Sequence, residues 1–186
     1  MRPYPLVAIT GKRGHGKSTL AEVLTRRGYA HVNFADPLRE ACTTVYGVSM
    51  KEMLDPVLKE TPLQRYPYKS PRELMQRIGT EMFRAYLDDT WVEAFRRSAD
   101  AAIQAGAPGV VCSDCRFVNE ASMIRAMGGR IIKVVDPRRT RNDLYSQHQS
   151  EIEIDQVEAD WTIYNERTVA DLHQAGEALL LDAISY

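Results

Sequence analysis

The residue types and spacings that could do chemistry are concentrated at Gly11-Lys12-Arg13-Gly14-His15-Gly16-Lys17-Ser18-Thr19. The run fits G-x-x-x-x-G-K-[ST], and its flanks are those the pattern needs. The apolar run Leu6-Val7-Ala8-Ile9-Thr10 precedes it, and an amphipathic stretch carrying Leu20, Val23 and Leu24 follows. Gly11, Gly14 and Gly16 let backbone N–H groups wrap an anion at a helix N-terminus, where the helix dipole already favours negative charge. Lys17 can reach outer phosphates as a point charge, and the Ser18 hydroxyl can ligate Mg²⁺. The spacing therefore predicts a bound nucleoside triphosphate, with Arg13, His15 and Thr19 counted among its contacts. A glycine turn without a ligand would not need strand, loop, Gly-Lys-Ser and helix in this order.

Other candidates lie further along. Asp114 closes the run Gly109-Val110-Val111-Cys112-Ser113 and is placed to hold Mg²⁺, directly or through water, beside Ser18. A turn-initiating aspartate is the plainer alternative. Arg138, Arg139 and Arg141 fall in a polar segment without periodicity, residues 137–147. Arginines on a closing lid would stabilise a transferring phosphoryl group and exclude water, which makes these three, with Lys17, the catalytic candidates. A solvated basic loop is the competing reading, and the pattern does not choose among the three. Arg72 and Arg77, five apart and so not on one helix face, could each grip an acceptor phosphate. Asp36 reads as an N-cap before Pro37, or as a contact to a sugar or base.

The elements that must position these groups follow from patterning. Residues 30–34 alternate and predict a second strand, and 109–113, 131–135 and 161–164 predict three more. Ser49/Glu52, Ser70/Glu73 and Thr90/Glu93 each put a capping hydroxyl three residues before a glutamate, opening helices near 50–55, 71–87 and 91–105. Further helices are expected over 119–127 and, from a Thr168 cap, 169–183. Strands alternating with helices predict an α/β fold with a five-stranded, mostly parallel sheet. Residues 35–108 would form a helical insertion bringing a second substrate to the carboxyl edge of the sheet, and about 137–150 a small lid.

Composition narrows the class. With 186 residues, a formal net charge of −1 and a pI near 6.4, the chain suits one soluble domain and argues against a nucleic-acid partner. Cys112 and Cys115 form C-x-x-C without a second ligand pair, so packed thiols in a reducing compartment are expected. No apolar run reaches membrane-spanning length and no leader is recognisable, which predicts a cytoplasmic protein without a membrane partner. No pattern encodes oligomeric state, so a homodimer stays open.

With those residues set out, the sequence resembles the phage-type deoxynucleoside monophosphate kinases, adenylate-kinase-like phosphate-loop enzymes. Besides the loop, the resemblance rests on Phe34-Ala35-Asp36-Pro37-Leu38 and on Arg72 to Glu81, similar to R-x-L-x-Q-x-x-G-T-[DE]. Asp114 to Glu120 is similar to D-x-R-F-x-N-E, and His148 to Glu151 to H-x-[ST]-E. It implies a three-layer P-loop fold and transfer of the ATP γ-phosphoryl, with Mg²⁺, to a deoxynucleoside monophosphate, giving the diphosphate and ADP, in the host cytoplasm if the protein is phage-encoded. Arg72 would ligate the acceptor phosphate, with Gln76, Arg77 and Asp36 on the substrate side; Arg116 would face the site beside Asp114, and the 138–141 arginines would belong to the lid. Two departures stand out: Asp136-Pro137 where an arginine often stands, and Asn165-Glu166-Arg167-Thr168 without the glycine of N-x-G-T, expected to alter only a turn. Rival readings are a kinase for dephospho-coenzyme A or for a hydroxymethylated base in DNA, and a nucleotide-binding module without phosphotransfer.

Overall fold

Three runs of Val, Ile and Leu, within residues 6–10, 110–112 and 130–135, form the centre of a five-stranded sheet because they are apolar on both faces and must be covered on both, while the edge segments 30–31 and 161–164 are partly exposed. The strands are β1 (Leu6–Thr10), β2 (Ala30–His31), β3 (Val110–Cys112), β4 (Arg130–Val135) and β5 (Trp161–Tyr164), in the order β2-β3-β1-β4-β5. Every pairing is parallel, with Ala8 opposite Cys112 and Thr10 opposite Lys133. The computed structural model describes residues 5–139 and 153–184. The chain divides into two compact units, one formed by residues 1–33 with 96–186 and the other by Phe34–Phe95.

In the first unit, β1 alternates between two helical layers. Val7 and Ile9 join Leu20, Val23 and Leu24 of α1 (Lys17–Thr25) and Leu172 in one buried cluster. On the opposite face, a Cβ at Gly129 would touch both Leu6 and Ile124, the latter in α6 (Val118–Ala126). Fully burying each such Leu or Ile contributes about 1.5–3 kcal/mol, which fixes the strand that delivers the glycine loop. The last helix of the described chain, α7 (Val169–Ile184), opens as expected at Thr168. The Asp171 carboxylate takes the Thr168 N–H at 3.0 Å, and Thr168 Oγ accepts the Asp171 N–H at 3.2 Å.

The second unit holds α2 (Asp36–Tyr46), α3 (Met50–Leu54), α4 (Pro71–Gln76) and the start of α5 (Thr90–Gln104). They surround a core of Leu38, Val48, Met53, Leu74, Ile78 and Trp91. Four expectations need correction. Strand β2 covers only two residues, Ala30 and His31; beyond them the Val32 N–H still donates to the Val111 carbonyl at 3.0 Å, and the Asn33 side chain accepts the Ser113 N–H at 3.0 Å. Asp36 is not an N-cap: Ala35 holds that position, and the Asp36 carboxylate accepts from Arg39 instead. The Thr90 hydroxyl donates to the Leu87 carbonyl at 2.7 Å rather than capping Glu93. Finally, the helix over 71–87 changes register, with Arg77–Arg84 winding as a π-helix. Gly79 sits in that stretch, where a Cβ would come within 2.7 Å of Leu38, and its carbonyl accepts the Trp91 indole N–H at 2.9 Å.

Candidate functional site

The glycine loop follows β1 because three residues without side chains allow the backbone to reverse there. Gly11 has φ 137°, and a Cβ on it would meet the Val134 carbonyl oxygen at 2.3 Å. Gly16 has φ 105°, and a Cβ on it would meet Asn165 and Leu172 at 2.8 Å. Lys17, the first residue of α1, is only 8% exposed. Its ammonium donates to the carbonyls of Gly11 and, at 2.8 Å, of Lys12, so the loop wraps its own lysine. Ser18 is exposed at the helix N-terminus, Thr19 and Arg13 are half-buried, and the Thr19 carbonyl lies 3.1 Å from His173 Nε2.

The strands flanking β1 bring two further segments to the same edge. Asp114 stands two residues beyond β3, half-buried, with Cys112 Sγ 3.3 Å from its carboxylate. Arg116 follows, its backbone N–H bonded to the buried Glu120 carboxylate at 2.8 Å, while the Phe117 N–H bonds the same oxygen at 3.2 Å. Glu120 thereby anchors the start of α6. Cys112 and Cys115 are buried free thiols, and desolvation pushes both well above the ordinary thiol range, as packed thiols require.

Beyond β4 the chain turns at Asp136-Pro137-Arg138-Arg139, closed by the Arg139 N–H on the Asp136 carbonyl at 3.1 Å. The Asp136 side chain is 4% exposed and is met by Arg138 twice, Nε at 2.9 Å and Nη2 at 3.1 Å. These bonds lower its pKa to about 2. Arg139 is held by one longer contact, Nε to Asp136 at 3.3 Å, and its Nη1 is 3.0 Å from where a Gly14 Cβ would sit. Its guanidinium therefore lies against the glycine loop. Arg141, like His148 to Glu151, lies outside the described residues.

Sequence patterning counts His15 among the triphosphate contacts and places Asn165 in a motif, but it gives no sign of the bonds that either makes. His15 is 6% exposed, and its Nδ1 accepts the Asp136 backbone N–H at 3.1 Å, so the neutral ring carries its proton on Nε2. His15 Nε2 and Thr10 Oγ1 are both buried without a hydrogen-bond partner among the described residues. Asn165, which keeps the first position of N-x-G-T, donates its Nδ2 to the His15 carbonyl at 3.0 Å and so ties the segment after β5 to the loop. Beside it, a cleft of ≈ 360 Å³ opens between β5 and α7, lined by Tyr164, Asn165, Arg167, Asp171 and Leu172. The donor set suits a polyphosphate: a glycine cradle, a buried ammonium and a guanidinium against the loop. Magnesium would find Ser18 and Asp114, too few for a protein-only cage but enough beside phosphate oxygens, and the described residues hold no cluster of three or more metal-ligating side chains.

Burial, and then the Lys17 ammonium, lower the His15 pKa below its usual 6.5, with the Val134 backbone and then Asp136 opposing the shift and Lys12 adding to it. The unfolded chain thus takes up a proton near 6.5 that the folded protein refuses. Stability is present above that pH and is lost as pH falls below it. Thermal melts from about pH 7.5 to 5.5 should show this slope, and it should be shallower in His15→Gln. An unchanged slope would assign the effect to other groups.

In the second unit, Arg72 Nε donates to the Glu60 carboxylate at 2.7 Å, and the pair is largely buried. Arg77 is exposed and lies 3.3 Å from Glu73, while Gln76 is half-buried at the end of α4. No helix of the described residues is long and apolar enough to cross a membrane.

The sequence pattern of the family described as deoxynucleotide monophosphate kinase matches residues 63–175. A protein of Acanthamoeba polyphaga mimivirus, whose designation as a deoxynucleotide monophosphate kinase is provisional, is 32% identical over 180 residues, covering 90% of this chain and 92% of its own. Among solved structures, dephospho-CoA kinase from Campylobacter jejuni superposes with a TM-score of 0.54 at 16% identity, over 95% of this chain and 96% of that one. Shikimate kinase from Aquifex aeolicus also gives 0.54, at 15% identity over 94% of each chain. At these identities the two structures establish the α/β phosphate-loop kinase fold.

Proposed function

Because the chain belongs to the deoxynucleotide monophosphate kinase family, we propose that it transfers the γ-phosphoryl of ATP to a deoxynucleoside monophosphate, giving ADP and the diphosphate. Family membership makes it a nucleotide kinase. The observation that supports phosphoryl transfer from a nucleoside triphosphate is the buried Lys17 inside the glycine loop with the Arg139 guanidinium against Gly14, while the deoxynucleoside monophosphate acceptor rests on the family. Two cations and a ring of backbone amides are what a phosphoryl group with charge on three oxygens requires.

The acceptor atom is a phosphate oxygen, already ionised near neutral pH, so no strong general base is needed. The chain's own residues bind and orient: the loop amides and Lys17 hold the donor phosphates, and Arg139 offsets charge at the transferring group. Magnesium, held by Ser18 and Asp114 with the phosphates, would supply further charge neutralisation. The cleft beside Asn165 would take the donor base, and Arg72 the acceptor phosphate, its orientation fixed by Glu60.

The test is a coupled ADP-release assay with ATP and Mg²⁺ against each deoxy- and ribonucleoside monophosphate, with dephospho-coenzyme A and modified duplex DNA as controls. Acceptor-dependent ADP from at least one deoxynucleoside monophosphate is expected, and its absence from all of them overturns the reading. In Arg72→Ala the acceptor KM should rise about 10–100-fold, as expected for a lost charge-assisted bond, with little change for ATP. An unchanged acceptor KM would move the phosphate clamp to Arg77 or Arg116.

A further inference from the structure

We propose that Arg138 is a positioning residue that fastens the glycine loop to the segment after β5, leaving Arg139, of the two described arginines, to meet the transferring phosphoryl group. The chemistry assigned to Arg139 rests on the kinase reading above, whereas the role of Arg138 rests on geometry alone.

Four residues from three segments close a ring of hydrogen bonds. The Asp136 backbone N–H donates to His15 Nδ1 at 3.1 Å, and the His15 carbonyl accepts Asn165 Nδ2 at 3.0 Å. The Asn165 carbonyl accepts Arg138 Nη2 at 2.9 Å, and Arg138 returns to the Asp136 carboxylate through Nε and Nη2. Two more bonds stiffen it: the Arg138 N–H to Asp136 Oδ1 at 3.0 Å, and the Asn165 N–H to the Val135 carbonyl at 2.7 Å. The carboxylate at the centre is buried, which strengthens its hold on a two-pronged guanidinium.

This ring answers the departure from the family pattern at 136–137. Asp136-Pro137 makes the turn, and the carboxylate it introduces captures the next arginine. To swing toward a phosphate, Arg138 would have to release both Asp136 and Asn165. Arg139 has no such anchor: one contact at 3.3 Å and a guanidinium already against Gly14 leave it able to follow the transferring group. Asn165 also lines the cleft beside the loop, so the ring sets the cleft wall relative to the phosphate cradle.

The experiment combines calorimetric ATP affinity, measured without acceptor, with steady-state kinetics on the full chain. Arg138→Ala and Asp136→Asn should each weaken ATP binding about tenfold and lower kcat by less than about tenfold, and the double variant should bind about as well as either single one. Arg138→Lys should not restore affinity, because an ammonium cannot span both oxygens and the Asn165 carbonyl. Arg139→Ala should lower kcat by about 10²–10³ with ATP affinity nearly intact. A kcat loss of that size in Arg138→Ala with unchanged affinity, or additive losses in the double variant, overturns the proposal. Absence of acceptor turnover in the unsubstituted protein would overturn the kinase reading instead, because the affinity comparison at Arg138 needs no acceptor.

Discussion

Lys17→Ala is expected to lower kcat by about 10²–10³ while the protein still folds, since one preorganised donor to the transferring charge is lost. On the proposed kinase reading the lysine would have two tasks, and they separate in measurement. Its ammonium is buried against the Gly11 and Lys12 carbonyls, so alanine leaves those acceptors without this donor. An unsatisfied buried group costs about 1–3 kcal/mol, which in a chain of 186 residues lowers Tm by roughly 2–4 °C per kcal/mol. Lys17→Met should keep the stem's packing but not the activity. Turnover within about threefold of the unsubstituted protein would show that the loop is not the catalytic one.

Gly11→Ala should be the more damaging change for the fold. The backbone there has φ 137°, a region that L side chains rarely adopt, and the new Cβ would lie 2.3 Å from the Val134 oxygen. Strand β4 cannot yield, because it is paired on both sides: Thr10 stands opposite Lys133, and Val134 opposite Ile163. Strain and overlap together should cost about 3 kcal/mol or more, a Tm loss of roughly 6–12 °C, with ATP binding lost alongside. A melting point within about 2 °C of the parent would mean that the loop rearranges at little cost.

Much of the first unit was legible because its signals are local. The residues of β5 were foreseen as they stand, and β3, β4, α6 and α7 within one or two positions, since period and capping residues lie inside each element. The π-helical stretch was not. Arg77–Arg84 carries nothing that a standard helix would reject, and its register is accompanied by the close approach of Leu38 to Gly79 and the Trp91 indole bond, both to residues distant in sequence. Asp36 misled for a related reason: Asp-Pro is a strong start signal, yet the helix begins one residue earlier and the carboxylate finds Arg39.

By itself, the sequence determined that a phosphate-binding loop lies between a buried strand and a helix, and that the sheet is parallel, because both depend on short-range spacing and on apolar runs covered on two faces. Only the tertiary structure gives Arg138 and Arg139 different contacts and joins His15, Asp136 and Asn165 in one hydrogen-bonded ring. Asp136 and Asn165 lie 121 and 150 positions from His15 along the chain. Their bonds exist only because β1, β4 and β5 end side by side, a proximity that no local pattern encodes.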